Sequence, residues 1–311
     1  MSARVWLPYA DRAEAERRLD GLPDGVVVDC FRADGDEFPD SVAEVELYVL
    51  PYLKGARELL SRAPEMTNLK VIQTLTAGYD NFLPYVPDGV ALCNAAGVHD
   101  ASTAELAIAL TLASGRHLDA FARQQQEGSW SPQLGRSLAD RRVLIVGYGR
   151  IGAAIERRLA GFEVASVTRV ARSARTGDVK VHATSELLDL LPDAEVVIVI
   201  APLTPETEGL IGVDALAAMP DGALVVNVAR GRLVDTDALV AETSSGRLRA
   251  ALDVTDPEPL PPDHPLWRSP GVLISPHVGG ASDAFFPRAD RLVAAQLRRY
   301  VAGEPLENRV R

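Results

Sequence analysis

Three side chains that could bind, polarise or protonate a carbonyl compound follow apolar runs in the second half of the chain. Arg230 comes after the run 223–228, Glu258 follows the run 250–254, and His277 follows the run 272–275. An arginine fork can hold a carboxylate and polarise a ketone, and a histidine can supply the proton that the resulting alkoxide needs. A carboxylate such as Glu258 beside the imidazole would raise its pKa. The trio therefore predicts the reduction of a 2-keto acid.

These three residues would converge because ligands of an open α/β sheet bind outside the carboxyl ends of its strands. Each also has a structural interpretation: Arg230 as a surface arginine, and Glu258, between two prolines, as a solvated loop acid. His277 differs from the other histidines because two glycines follow it and allow close approach. We interpret the remaining four as structural: His99, His117, His182 and His264.

A glycine-rich turn, Gly147-Tyr148-Gly149-Arg150-Ile151-Gly152, precedes the trio. It follows the apolar run 143–146 and opens a segment with one apolar helical face. Strand, Gly-x-Gly-x-x-Gly and helix in this order are typical of a dinucleotide site. The glycines permit the tight turn, the approach of a pyrophosphate and close helix–strand packing, and the helix N-terminus offers N–H groups to the phosphates. The alternative is a structural turn in some other α/β protein.

Alternating strands and helices on both sides of residue 100 predict the fold class. We expect an α/β protein with two Rossmann-like or flavodoxin-like domains, each with a parallel sheet. Ser102-x-x-Glu105 is a capping-box pattern that predicts the start of a long helix, and six apolar runs after Arg142 predict the strands of the second sheet. The predicted dinucleotide-binding domain is 99–283, inserted into a discontinuous substrate-binding domain made of 1–98 plus 284–311.

Composition excludes several classes of partner. The 311 residues carry a net charge of −11, which argues against nucleic acid and anionic membranes, although a local basic patch could still bind one small anion. No apolar segment is long enough to span a bilayer. The two cysteines, Cys30 and Cys93, form neither a metal pattern nor a disulfide framework. We expect a cytoplasmic protein without a bound metal.

Taken together, these motifs resemble the D-2-hydroxyacid dehydrogenase family, in the family's own order over roughly residues 75 to 280. Besides the glycine turn, the resemblance rests on Ala201-Pro202-Leu203-Thr204 with Thr207, Asn227-Val228-Ala229-Arg230-Gly231, Leu252-Asp253-Val254 and Pro276-His277-Val278-Gly279-Gly280. It implies an NAD(P)-dependent, D-stereospecific 2-hydroxyacid dehydrogenase that is a homodimer. Arg230 would then bind the substrate, His277 would be the acid/base, and Glu258 would tune it.

The resemblance also implies further contacts. Gly78 would offer its backbone N–H to the substrate carboxylate, with Ala77 beside it, and Asp253 would contact the nicotinamide carboxamide. Thr103 and Thr207 would lie along the cofactor. The full set of implied cofactor-binding residues is Thr103, Gly147, Gly149, Arg150, Ile151, Gly152, Arg172, Ser173, Pro202, Thr207, Ala229, Asp253, His277 and Gly279.

One departure from the NAD-preferring pattern bears on the cofactor. Those members carry an acid about 20 residues past the glycines to hold the ribose 2′-hydroxyl. Here Ala171 stands near that place, and Arg172, Ser173 and Arg175 follow. Arginines pair with a 2′-phosphate, so we predict NADP(H), with NAD still open. The alternative is that these arginines form a solvated basic loop.

Several alternatives within and beyond the family stay open. The family's phosphite dehydrogenases have a lysine where this chain has Ala77, so a glyoxylate/hydroxypyruvate reductase or a general 2-keto-acid reductase fits better. A non-catalytic dinucleotide-sensing regulator is the alternative from another class. The aromatic residues Tyr52, Phe285 and Phe286 could line the substrate pocket or serve as packing residues.

Overall fold

The computed structural model describes residues 2–35 and 37–311, and the chain divides into two compact units. The first unit combines the residues up to His99 with the segment Asp283–Arg311. The second unit is the continuous stretch Asp100–Ser282. The chain therefore leaves the first unit once, completes the second, and returns.

The first unit is built on a five-stranded sheet in which all pairs are parallel, with strand order β2-β1-β3-β4-β5. This is the flavodoxin-like order. Parallel strands covered on both faces are apolar throughout, which agrees with the buried Val5, Trp6 and Leu7. The strands are β1 (Ala3–Leu7), β2 (Val26–Cys30), β3 (Leu47–Val49), β4 (Val71–Gln73) and β5 (Ala91–Cys93).

The second unit contains a seven-stranded parallel sheet with the order β12-β11-β10-β9-β6-β7-β8. Strand β6 lies where the order reverses, as in a Rossmann sheet. Its strands are β6 (Arg142–Val146), β7 (Ser166–Ala171), β8 (His182–Ala183), β9 (Val196–Val199), β10 (Leu224–Asn227), β11 (Arg249–Leu252) and β12 (Val272–Ile274). The predicted α/β class with two parallel sheets is confirmed. Strand β8 was missed because its two residues make no apolar run.

Nine α-helices connect and cover these strands in the described ranges of the chain. They are α1 (Arg12–Arg18), α2 (Ala56–Leu59), α3 (Asp100–Gly115), α4 (Leu118–Glu127), α5 (Arg150–Leu159), α6 (Leu187–Leu190), α7 (Val213–Ala218), α8 (Thr236–Ser244) and α9 (Phe285–Ala302). The predicted capping box was wrong: α3 begins at Asp100, so Ser102 is already inside the helix.

Each unit has its own hydrophobic core. The final helix α9 supplies Leu292, Val293 and Leu297 to the core that covers β1 and β3. In the second unit, α3 and α5 pack on one face of the sheet through residues such as Ala107, Ile108 and Ile155. No helix in the described part of the chain has the length and apolar character needed to cross a membrane.

Candidate active site

The glycine turn connects β6 to α5, and each of its three glycines has a different steric role. Gly147 has a φ of +107°, and a Cβ there would lie 2.3 Å from the backbone N of Ala201. A Cβ on Gly152 would lie 2.7 Å from the carbonyl oxygen of Gly147. A Cβ on Gly149 would meet no atom within 4 Å. Gly147 and Gly152 are thus required by the fold, whereas the open space at Gly149 is available to a ligand.

The amino end of α5 fits an anionic group at this turn. The cap residue Gly149 has no side chain to accept a hydrogen bond from the first turn of the helix. The N–H groups of that turn can therefore donate to a ligand. Arg150 is exposed, and its guanidinium forms an ion pair of 2.9 Å with Asp100, the first residue of α3. The turn therefore has the space, the donors and the helix dipole that a pyrophosphate requires.

His277 and Glu258 form a hydrogen-bonded pair beyond the carboxyl ends of β11 and β12. Nδ1 of His277 lies 2.5 Å from Oε1 of Glu258. This bond and the carboxylate charge raise the pKa of His277 above its ordinary value, although partial burial and the charge of Arg230 oppose the shift. For Glu258, burial opposes ionisation, but the bond to His277 outweighs it and keeps the pKa of the carboxyl below its usual range. The pair thus favours the imidazolium together with the carboxylate.

Asp253, which directly follows β11, organises the loop that carries His277. Oδ1 of Asp253 accepts hydrogen bonds from Oγ of Ser275 at 2.6 Å and from the backbone N–H of Val278 at 2.8 Å. Its Oδ2 accepts from the N–H of Gly279 at 2.8 Å. A carboxylate has about four acceptor positions, so one remains for another partner such as a carboxamide.

The backbone of His277 adopts a conformation that side chains other than glycine rarely take. Its φ is +53°, in the left-handed region. The N–H of His277 donates to the carbonyl oxygen of Asp253 at 2.7 Å, and Asp253 itself is buried. Strain of this kind persists only where the surroundings enforce it, and it is concentrated at functional sites.

Arg230 follows β10 and lies near the same pair. Its charge acts on the pKa of both Glu258 and His277, which places the three groups together. Asn227 sets the local backbone: its Nδ2 donates to the carbonyl of Arg230 and its Oδ1 accepts from the N–H of Ala229. A Cβ on Gly231 would lie 2.0 Å from the carbonyl oxygen of Thr255, so the two loops touch.

The end of β7, where a dinucleotide ribose is held in related sheets, has no acid. The strand ends at Ala171, and the exposed Arg172 and Ser173 follow. Arg175 donates to the carbonyl oxygen of Tyr148 at 2.6 Å and lies over its ring. The glycine turn and the basic segment are therefore in contact.

Two threonines of the predicted cofactor site, Thr207 and Thr103, hydrogen-bond to nearby loops. Thr207 donates to the carbonyl of Pro202 at 2.7 Å and accepts from the N–H of Thr204, which fixes the loop after β9. Thr103, on α3, donates to the carbonyl of Gly279 at 3.2 Å. Glu206, in the loop after β9, is hydrogen-bonded to Thr204, which lowers the pKa of its carboxyl, and the charge of Arg172 adds to this effect.

Gly78 and Ala77 belong to the first unit, in the turn after β4. Asn94 donates to the carbonyl of Ala77 at 2.7 Å, and Thr76 donates to the carbonyl of Gly78 at 2.7 Å. Phe285 is buried in the core of the same unit and stacks on Tyr52 with ring centroids 4.0 Å apart, whereas Phe286 is exposed. Phe285 is thus a packing residue.

Sequence reasoning missed three residues that shape these sites. Ser275 binds the buried carboxylate of Asp253, Asn94 holds the turn at Ala77, and Glu206 is influenced by the charge of Arg172. Ser275 and Asn94 each follow a strand, a signal that could have identified them because polar residues at strand ends organise the next turn. Glu206 carries no such signal, since its proximity to Arg172 depends on the loop conformation.

Comparison with known proteins agrees with the interpretation of the second unit as a dinucleotide-binding domain. Residues 108–279 match the family model described as D-isomer specific 2-hydroxyacid dehydrogenase, NAD binding domain. The mouse glyoxylate reductase/hydroxypyruvate reductase is 34% identical over 254 residues, which cover 78% of this chain and 77% of that protein. The glyoxylate reductase of Korarchaeum cryptofilum is 34% identical over 259 residues, covering 79% and 76%.

Solved structures extend the similarity to both units. A D-isomer specific 2-hydroxyacid dehydrogenase from Xanthobacter autotrophicus, in complex with NADPH and MES, has a TM-score of 0.80 and 32% identity, covering 100% of this chain and 98% of that one. The NADPH-dependent glyoxylate/hydroxypyruvate reductase of Sinorhizobium meliloti, in complex with NADP and malonate, has a TM-score of 0.80 and 27% identity, covering 100% and 97%. The fold is that of a dehydrogenase with a Rossmann cofactor domain.

This chain belongs to the D-isomer specific 2-hydroxyacid dehydrogenase family. It is an NAD(P)-dependent oxidoreductase of 2-hydroxy and 2-keto acids.

Proposed function

We propose that this enzyme reduces a small 2-keto acid of the glyoxylate or hydroxypyruvate type to the D-2-hydroxy acid with NADPH. The single observation that carries the acid/base assignment is the His277–Glu258 hydrogen bond of 2.5 Å beside Arg230. The choice of substrate rests on the names of the mouse, Korarchaeum and Sinorhizobium relatives. The first unit would bind the substrate and the second the cofactor.

Each member of the trio has a distinct task in this proposal. Arg230 binds the substrate carboxylate and polarises the ketone with its fork of N–H donors. The protonated imidazole of His277 donates its Nε2 proton to the keto oxygen as negative charge develops there. Glu258 stabilises the imidazolium through Nδ1, and Gly78 offers its N–H to the carboxylate. The bound cofactor supplies the hydride when it is reduced.

The remaining predicted contacts hold the cofactor. Gly149 and the amino end of α5 receive the pyrophosphate, and Asp253, Thr103, Pro202, Thr207, Ala229 and Gly279 border the nicotinamide half. Arg172 and Ser173 would bind the 2′-phosphate, because no acid at the end of β7 repels it. The complexes of the Xanthobacter and Sinorhizobium relatives with NADPH and NADP support this choice.

The experiment is an initial-rate assay of glyoxylate and hydroxypyruvate reduction with NADPH and with NADH. We expect His277→Ala to lower kcat by about 10²–10⁴-fold, with NADPH binding retained. The matched control is His182→Ala, because His182 also pairs with a carboxylate, Glu186, at 2.7 Å but lies on β8. No turnover of any 2-keto acid in a broad panel would contradict the proposal and favour a dinucleotide sensor.

The cofactor preference has its own test within the same assay. We expect Arg172→Gln to lower kcat/KM with NADPH by about tenfold and to leave the value with NADH within about twofold, since one charge-assisted contact is lost. Arg268→Gln removes an equal charge from an exposed position of the same unit and is the control. A higher kcat/KM of the unaltered protein with NADH would overturn the NADP preference.

We also propose a cytoplasmic homodimer. Trp130 and Leu134 are 97% and 98% exposed, on the segment between α4 and β6, and large apolar side chains so exposed favour burial against a partner. Both cysteines are free thiols, which suits a reducing compartment. Light scattering should give twice the chain mass, and Trp130→Ser with Leu134→Ser should shift the protein toward the monomer. A monomer at micromolar concentration would contradict this assembly.

A further inference from the structure

Three arginines meet at the edge of the second sheet that lies opposite the glycine turn. Arg141 directly precedes β6, Arg249 begins β11, and Arg136 lies in the segment that leads to β6. Because all strands of this sheet are parallel, their amino ends share one edge and their carboxyl ends the other. Strands of four or five residues separate the two edges by about 13–17 Å. The arginines therefore form a site distinct from that of His277.

Arg136, Arg141 and Arg249 all line one partly open pocket. Nη1 of Arg136 donates to the carbonyl oxygen of Gly222 at 2.7 Å, and Nε of Arg249 lies 3.4 Å from the same oxygen. Two cations thus converge on one acceptor. The hydroxyl-bearing residues Thr111 and Ser137 also line the pocket.

The negative charge in the pocket does not balance these cations. Glu195 is the one carboxylate among the lining residues, and it already pairs with Arg141 at 2.6 Å and with Arg142 at 3.7 Å. Arg249 donates through Nη1 to the carbonyl and the hydroxyl of Ser114, and within residues 2–35 and 37–311 its Nη2 makes no hydrogen bond. Donors and positive charge remain unused.

The electrostatic consequence appears at Arg249 itself. Burial, together with the charges of Arg136 and Arg141, lowers the pKa of Arg249 to about 10. The side chain stays charged at neutral pH, but in a repulsive surrounding that a bound anion would relieve.

A glycine permits this arrangement. Gly222 has a φ of +75°, and a Cβ there would lie 2.3 Å from Nη2 of Arg136. A side chain there would displace the Arg136 guanidinium and would also strain the backbone at this φ. The position of the cation therefore depends on the absence of a side chain at 222.

We propose that this pocket binds a small oxoanion with the size and charge of inorganic phosphate, held by Arg136 and Arg249. Planar guanidinium forks match the oxygen spacing of such an anion and form charge-assisted hydrogen bonds with it. The net charge of −11 makes the chain a poor ligand for polyanions but leaves this local site open to one small anion. The site does not depend on the substrate or cofactor proposed above.

The test is calorimetric titration of the full chain with inorganic phosphate, at constant ionic strength and with NADPH saturating, so that the dinucleotide site is filled. We expect one phosphate per chain, and an affinity about tenfold weaker in Arg249→Gln and in Arg136→Gln, since each removes charge-assisted contacts. Arg157→Gln, on the exposed last turn of α5, removes an equal charge outside the pocket and should change the affinity less than twofold.

Equal phosphate affinity in all three variants, or no binding, would overturn the proposal. A fall of the particle mass toward the monomer in Arg249→Gln, with phosphate affinity unchanged, would also overturn it and assign the pocket to a carboxylate of a second copy. Should Arg249→Gln fail to fold, Arg136→Gln still decides the question, because Arg136 is exposed.

Discussion

Glu258 holds the imidazole of His277 at Nδ1, and the buried carboxylate of Asp253 holds the loop that carries this histidine, through the N–H of Val278. The first contact sets the proton affinity of the ring, and the second sets its position. Separate substitutions should therefore separate the two effects.

The pH dependence of keto-acid reduction should follow the raised pKa of His277. In the proposed mechanism the proton donor is the imidazolium, which is present below that pKa and lost above it, so kcat/KM for reduction should fall as pH rises through it. Glu258→Gln removes the hydrogen bond and the charge that raise the pKa, so the fall should move to lower pH.

The measurement is kcat/KM for reduction from pH 5 to 10 with ordinary and 4-deuterated NADPH, about one point every half unit. The isotope effect verifies that hydride transfer limits the rate. An identical profile in the unaltered enzyme and in Glu258→Gln would rule out Glu258 as the group that tunes His277.

Ser275→Ala should weaken the support of the His277 loop. The change removes a hydrogen bond of 2.6 Å to the buried Asp253 and should lower the free energy of unfolding by about 1.5–3 kcal/mol, the range for bonds to charged groups. It should also lower kcat while the KM for the keto acid changes little, because His277 is mispositioned. Chemical unfolding and steady-state kinetics measure the two effects.

Ser282→Ala is the matched control for this substitution. The buried Ser282 hydroxyl has no hydrogen-bond partner in the described part of the chain, so its removal should leave stability unchanged or raise it. Equal destabilisation by both substitutions would show that the bond to Asp253 contributes nothing particular.

Alanine substitutions at the first two glycines of the turn should have different effects: one on stability, the other on cofactor binding. Gly149→Ala places a methyl group in open space, so the protein should keep its unfolding temperature but bind NADPH at least about tenfold more weakly, through blocked approach of the pyrophosphate. Gly147→Ala brings a Cβ to 2.3 Å from the Ala201 backbone at a φ of +107°, so it should destabilise the fold. Thermal unfolding and fluorescence titration with NADPH measure both; unimpaired binding in Gly149→Ala would place the phosphates elsewhere.

Glu206 should weaken the preference for a 2′-phosphate. Its carboxylate lies in the field of Arg172, so Glu206→Gln should raise the ratio of kcat/KM with NADPH to that with NADH, by about two- to fivefold for one exposed, screened charge. The effect should shrink at high ionic strength. Glu208→Gln, which removes a neighbouring acid paired with Arg232, is the control. A ratio that does not change would remove Glu206 from the cofactor site.

The fold could be predicted, and the trio of the proposed active site could be suggested, because both depend on patterns that are local in sequence. Apolar runs predicted the longer strands, and the segments after them led to the proposal of Arg230, Glu258 and His277. The two-residue strand β8 and the start of α3 at Asp100 could not be predicted in this way. Short pairings and helix ends depend on tertiary contacts, such as the Asp100–Arg150 ion pair, which joins residues far apart in the chain.

Contacts between loops that are distant in the sequence could not be predicted either. The arginine pocket draws Arg136, Gly222 and Arg249 from three separate segments, none of which carries a motif. Likewise, Ser275 becomes important only because Asp253 is buried beside it. Such residues have no sequence spacing to reveal them, and their role emerges when the strands are brought into register.

The return of the chain to the first unit has a consequence for synthesis on the ribosome. The second unit is continuous and can close its core as soon as Ser282 has emerged, whereas the first unit waits for Leu292, Val293 and Leu297 of α9. Domains fold as units during elongation, so the portion made first is completed last. Nascent chains arrested before α9 should resist protease in the second unit and remain cleavable in the first. Newly made molecules therefore pass through an interval in which the apolar surface of β1 and β3 is uncovered and open to chaperones.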